Sequence, residues 1–445
     1  MDSVCPAPTD WRGIVRQLGP GFIISATIVG SGELIVTTRL GAEVGFTLLW
    51  FIILGCLIKV FLQIELGRYA ITHGKTSLEA LDSIPGPRWK VSWLVWVWIV
   101  MFVATFFQVA GMLGGVAGIF TFAGLGADWP KFSWPLILSV ITGFLLAIGR
   151  YRLIERFSSI MVAMFTFFTV AAVVALNWTD YGISLAQLVD GMSFRLPEDS
   201  TTAFAAFGII GVGASELIYY PYWCLEKGYA AFTGVNDGSA EWKRRAQGWM
   251  RVMRTDAWIS MVIYTVATIA FYLLGAAVLN AKELRVEDRD MIATLSHMYR
   301  ETFGEVGYWG YLMGALVVLY STVFLATASN GRLFADLFRL FRWVVVTDEE
   351  RRLVVVRYAC IGLTALYFVV FTAIKAPVTL VFVGALAQAL MLPFLGVAAL
   401  YFLYFRTESA LRPGGVWIGF LWVSCSLMAL IGCYQLVQAV RAAIH

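Results

Sequence analysis

The sequence predicts an all-α polytopic membrane protein: eleven spans arranged as two inverted repeats of five, with one span appended. Three observations carry this. Sixty per cent of the 445 residues are hydrophobic and only 14% are charged; mean hydropathy is +0.77. Ordinary soluble domains are about 25% charged, and one soluble core cannot absorb this much apolar side chain. Basic residues alternate between connectors as the chain weaves. A short glutamate-bearing motif occurs twice, five spans apart. The composition excludes soluble-enzyme, disordered and nucleic-acid-binding classes, and no nucleophile–base pair or cofactor motif points to an enzyme.

A bilayer core needs about 20 apolar helical residues. Segments of that kind fall at 18–40, 46–70, 92–123, 133–149, 157–178, 202–224, 256–280, 307–329, 353–374, 377–404 and 415–439. The polar, proline-containing start does not read as a cleavable signal, so 18–40 is taken as span one. Repeat one covers about 12–178, repeat two about 202–404, and the extra span about 415–439, within one transmembrane domain over 1–445. Gly331–Trp343 places Leu333, Phe334, Leu337, Phe338 and Phe341 on one face and reads as a helix lying on the membrane surface.

Orientation follows from Lys and Arg. The connectors on the N-terminal side hold 23 of the 33, those on the other side hold 9, and Lys59 lies inside span two. The positive-inside rule makes the N-terminus cytoplasmic and, with eleven spans, the C-terminus extracytoplasmic. The expected location is a bacterial-type inner cell membrane, with lipid as the surrounding partner and no nucleic acid. The six cysteines are scattered without metal-ligand spacing and read as small buried hydrophobes.

Span one contains Val29-Gly30-Ser31-Gly32-Glu33-Leu34-Ile35, and span six contains Val212-Gly213-Ala214-Ser215-Glu216-Leu217-Ile218. Five spans per repeat, an odd number, make the second copy start from the opposite side, the signature of an inverted repeat. Gly and Ser/Ala runs lower helix propensity, and Pro221 removes a backbone donor. Both helices are expected to break mid-membrane, near 30–33 and 213–217, where unwound backbone must line a polar cavity. A carboxylate at each break makes Glu33 and Glu216 the candidate cation ligands; an intramembrane acid is costly and functional by default. Gly30, Ser31, Ala214, Ser215 and the Gln388 amide are the expected remainder of the site.

Lys59 reads either as a neutralising partner of Glu33, Glu216 or Glu65, or as a built-in cation replacing a coupling ion. Gln63, Glu65 and Arg68 suit a gate network on the N-terminal side or a plain interfacial pair. Thr105 and Gln108 suit helix–helix hydrogen bonds. Tyr219 and Tyr220, with Tyr222 and Trp223, form a candidate aromatic wall. No histidine lies mid-membrane.

Several motifs then carry a resemblance: Gly19-Pro20-Gly21; Gln63-x4-Arg68 followed by Thr72-x-Gly74; Gly149-x2-Arg152-x2-Glu155; and Gln388-x-Leu390-x-Leu392-Pro393-Phe394. Together these resemble the Nramp family of divalent-metal transporters, over nearly the whole chain. The resemblance implies a LeuT-type fold with broken helices 1 and 6, and alternating-access transport. Where the family carries Asp-Pro-Gly-Asn, this chain has Gly30-Ser31-Gly32-Glu33. The family's metal-binding methionine corresponds to Leu217, its two span-six histidines to Tyr219 and Cys224, and its span-three acids to Thr105 and Gln108. Losing a thioether and gaining a carboxylate hardens the site toward Mn²⁺, Mg²⁺ or Ca²⁺ as transported ions, with no cofactor. The lack of a mid-membrane histidine, together with Thr105 and Gln108 at the family's span-three acid positions, predicts transport without obligatory proton coupling. Two other readings remain open: a carrier of a small organic amine, amino acid or other cation on the same fold, and a non-transporting relative.

Overall fold

The computed structural model describes residues 4–148, 151–197, 200–344 and 349–444; within these, the side chains of Ser31, 151–159, 161, 349 and 442–444 are not described. Of the motif at the start of span five, Gly149 lies outside the described residues, as do the side chains of Arg152 and Glu155.

Among the described residues, eight helices are long and apolar enough to cross a membrane: Pro20–Val44, Leu49–His73, Trp93–Phe122, Ala240–Leu279, Met291–Leu340, Glu350–Ile374, Pro377–Arg406 and Gly415–Arg441. Ser133–Ile148 and Tyr151–Ala175 supply spans four and five. Span six is divided into Thr201–Ala206 and Ala214–Lys227. Each of the eleven predicted segments is thus built on helix, span six on two helices with a gap between them. The one strand pairing among the described residues is a hairpin of Arg88–Trp89 with Val91–Ser92, ahead of span three.

Two expectations are corrected. Gly331–Trp343 is not a surface helix: span eight runs on to Leu340, and Leu333, Leu337 and Phe341 are buried. The helix bends instead at Gly304, whose φ of +60° a glycine adopts without strain. Span one is also not unwound. Its α-helix ends at Ile28, a π-helix occupies Val29–Thr37, and an α-helix resumes at Thr38. The Thr37 hydroxyl donates to the Gly32 carbonyl at 3.0 Å, and the Thr38 hydroxyl to that of Glu33 at 3.2 Å. Both bonds reach back five residues, the π register, so span one keeps its backbone groups occupied without opening.

Close packing sets where span one runs. A Cβ on Gly30 would lie 1.9 Å from Thr322 Oγ1 in span eight, and one on Gly32 would lie 2.8 Å from the Ile209 carbonyl of span six. The two glycines thus seat the π-helical turn against spans six and eight. Span ten packs along span three, and span eleven lies outside it with most of its surface exposed.

Candidate functional site

Span six opens over 207–213, earlier than the 213–217 predicted. Three glycines in six residues, Gly208, Gly211 and Gly213, account for the place. Gly211 has φ +62°, a conformation that side chains resist. A Cβ on Gly208 would lie 2.1 Å from the Ala385 carbonyl of span ten. The repeated motif is not the break itself. Gly213 is the N-cap of Ala214–Lys227, which puts Glu216 in the first turn of that half-helix, where a carboxylate suits the helix dipole.

A broken helix leaves carbonyls at one end and amides at the other, and buried backbone groups need partners. Here the partners are side chains from three other spans. At the carbonyl end, Lys59 Nζ donates to the Phe207 carbonyl and, at 2.7 Å, to that of Ile210. The same ammonium sits 4.4 Å from the centre of the Phe207 ring. At the turn, Gly211 N–H donates to Glu33 Oε1 at 3.2 Å, while Thr37 holds Glu33 Oε2 at 2.8 Å. At the amide end, Ser215 N–H donates to Gln388 Oε1 at 2.9 Å, and Gln388 Nε2 donates to Gln108 Oε1 at 2.7 Å.

Glu33 and Glu216 both border the break of span six. Glu33 bonds Gly211, and a Cβ on Gly213 would lie 2.5 Å from Glu216 Oε2. Glu33, Lys59 and Gln388 are fully buried, whereas Glu216 is half-buried. Glu216 is the less buried of the two carboxylates. Gly30 and Ala214 are buried, Gly30 against Thr322 and Val318 of span eight. The carbonyls that receive a cationic donor are those of Phe207 and Ile210, not the backbone near Ala214, and Gln388 already has both ends of its amide engaged. Among the described residues no three His, Cys, Asp or Glu side chains converge as a metal-ligand set.

Other expected site residues lie elsewhere. Arg68 forks onto Glu65, Nε to Oε2 at 2.9 Å and Nη2 to Oε1 at 3.0 Å. It also donates to the Leu411 carbonyl at 2.7 Å, and Trp417 Nε1 reaches Glu65 at 2.8 Å. This cluster ties span two to span eleven and its connector. Thr105 bonds its own helix at Phe102. The tyrosines do not form one wall. Tyr219 donates to Asn330 at 2.5 Å, Tyr220 to Asp256 at 3.0 Å and Tyr222 to Asp336 at 2.6 Å, each on a different partner in span seven or eight.

Sequence reasoning passed over Asp256, Asn330 and Phe207. Asp256 takes the Gly19 and Gly21 amides at 2.9 and 2.6 Å, holding the start of span one. A lone acid at the head of an apolar run, in Arg254-Thr255-Asp256-Ala257, was the available signal. Asn330 falls between the predicted end of span eight at 329 and the stretch read as a surface helix from Gly331. Nothing in the letters marks Phe207.

A family model described as natural resistance-associated macrophage protein-like matches residues 21–438. An uncharacterised protein of Pasteurella multocida is 27% identical over 307 residues, 66% of this chain and 64% of that protein, so the match spans under two thirds of its length. Among solved structures, an Eremococcus coleocola manganese transporter superposes with TM-score 0.66 at 16% identity, covering 97% of this chain and 88% of that one. Mhp1, a nucleobase-cation-symport-1 family transporter with bromovinylhydantoin bound, gives 0.59 at 16% identity over 99% and 94%. MhsT in complex with L-phenylalanine gives 0.56 at 13% identity over 94% and 98%. At these identities the likenesses establish the fold, which is LeuT-type. With the family model spanning nearly all of the chain, this integral membrane protein belongs to the Nramp family.

Proposed function

We propose that the chain is a secondary transporter that moves a divalent cation by alternating access, without obligatory proton coupling. One observation carries the reading: two carboxylates from different spans border the break of span six, Glu33 on the Gly211 amide and Glu216, half-buried, beside Gly213. Intramembrane acids at a helix break are the usual means of receiving a cation. In this reading Glu33 and Glu216 are the ligands, Gly30, Ser31, Ala214 and Ser215 border them, and Gln388 supports the amide end. The donors are oxygens, which suit Mn²⁺, Mg²⁺ or Ca²⁺. Family membership and the shared fold with a manganese transporter support a metal as cargo. Spans 1–5 and 6–10 act as the two repeats, in a bacterial-type inner membrane, with the N-terminus cytoplasmic and the C-terminus outside. The span-three positions Thr105 and Gln108 carry no ionisable group, which supports transport without a proton.

The amine-carrier reading has one observation in its favour. An ammonium, that of Lys59, already rests on two carbonyls and an aromatic face at the break. Calorimetric titration of the purified protein with Mn²⁺, Mg²⁺, Ca²⁺ and a panel of amines and amino acids separates the two. Saturable metal binding lost in Glu33→Gln supports the first; metal silence with an amine response supports the second.

A further inference from the structure

Lys59 and Gln63 stand one turn apart on one face of span two, both fully buried. Lys59 spends its ammonium on the carbonyls of Phe207 and Ile210 and on the Phe207 ring. Gln63 has neither amide oxygen nor amide nitrogen hydrogen-bonded. A buried primary amide with both ends idle is rare and costly in a native fold and calls for a partner in another state. Residues four apart on a helix are neighbours, so a lysine side chain at 59 can reach an acceptor at 63.

We infer that the carbonyl end of the span-six break is a cation station filled by the chain's own ammonium, and that arriving cargo drives Lys59 from this station to Gln63. The inference rests on the cation-carrier reading for what displaces Lys59. Glu33 stands at the turn beside the station, bonded to Gly211. A cation that engages Glu33 and Glu216 weakens the attraction that holds Lys59 and repels its ammonium. Gln63 Oε1 then receives the displaced ammonium without exposing it to lipid. Two neutral carbonyls and a ring face are a cradle for a small singly charged cation of the alkylammonium kind. Lys59 is thus a tethered competitor, and it sets how strongly cargo must bind to enter.

The test is Lys59→Ala in detergent, titrated with methylammonium, and with choline as an oversized control. The expected result is a lowered Tm that methylammonium restores saturably at millimolar concentration and choline does not, with no methylammonium shift in the unmodified protein. A folded Lys59→Ala protein that ignores methylammonium overturns the station. Gln63→Leu examines the second position and needs no rescue. Its Tm should not fall, because an idle amide is replaced by an apolar group, while Mn²⁺ uptake into proteoliposomes drops at least tenfold. Unchanged uptake in that variant overturns the role of Gln63. Loss of the transport reading is separable: it requires that the unmodified protein move no divalent cation, and the methylammonium response of Lys59→Ala does not depend on that.

Discussion

Glu33 Oε1 accepts the Gly211 amide of span six at 3.2 Å, so a carboxylate from the first repeat caps the open turn of the second. The bond joins the two helices that carry the repeated motif at the point where one has opened and the other has only changed register. Charge is matched to backbone polarity throughout the break: an ammonium on carbonyls, and a carboxylate and an amide oxygen on N–H groups.

Replacing the carboxylates should remove cargo binding. Glu33→Gln keeps the hydrogen-bonding shape but not the charge, and Glu216→Gln does the same on the half-buried side. Each is expected to lower cation-dependent uptake in proteoliposomes at least tenfold while the protein still folds. Uptake that persists in the double variant removes both residues from the mechanism.

Asp256 gathers the Gly19 amide, the Gly21 amide and the Tyr220 hydroxyl in a buried setting. Asp256→Ala leaves the Gly19 and Gly21 amides without this acceptor, while Tyr220 keeps the Met253 carbonyl at 3.1 Å, and should cost about 3–5 kcal/mol. Asp256→Asn keeps an acceptor oxygen and should cost less than half as much. Thermal melts in detergent compare the two; equal melting temperatures for Ala and Asn variants would remove the hydrogen-bond account.

The glycines at the packing points are tested by a single methyl group. Gly30→Ala drives a Cβ into Thr322, and Gly208→Ala drives one into the backbone of Ala385, whereas Gly362 has open space around it. The first two substitutions should destabilise by roughly 1–3 kcal/mol or prevent folding, and Gly362→Ala should be neutral. A neutral Gly208→Ala would contradict the close approach of spans six and ten.

Arg68→Lys examines the anchor of span eleven. Arginine makes a fork to Glu65 and a further bond to Leu411, a geometry that one ammonium cannot reproduce. A loss of roughly 2 kcal/mol is expected, with faster proteolysis in the connector 407–414. Wild-type protease resistance would count against the anchor.

Selectivity should follow the oxygen donors. Mn²⁺, Mg²⁺ and Ca²⁺ are expected to compete within about a factor of ten, and Cd²⁺ to gain no special advantage. Uptake should proceed without acidifying the proteoliposome lumen, read with a trapped pH-sensitive dye. Exclusive Cd²⁺ or Mn²⁺ binding, or substrate-driven acidification, would refute the corresponding half of this expectation.

The amino-acid sequence on its own determined the membrane class, the eleven helical segments and the pair of glutamates in the middle of spans one and six. These depend on local quantities, apolar run length and repeated letters, which survive without neighbours. Tertiary structure alone decided the rest. Span six opens at 207–213 because Lys59, Glu33 and Gln388, from three other spans, are there to take its orphaned carbonyls and amides. Span one holds the same kind of motif yet stays helical, because Thr37 and Thr38 satisfy its backbone in the π register. Whether a helix opens depends less on its own propensity than on which distant donors and acceptors reach it. Those distances, like the seat of Lys59 on the Phe207 ring, exist only once the helices are packed.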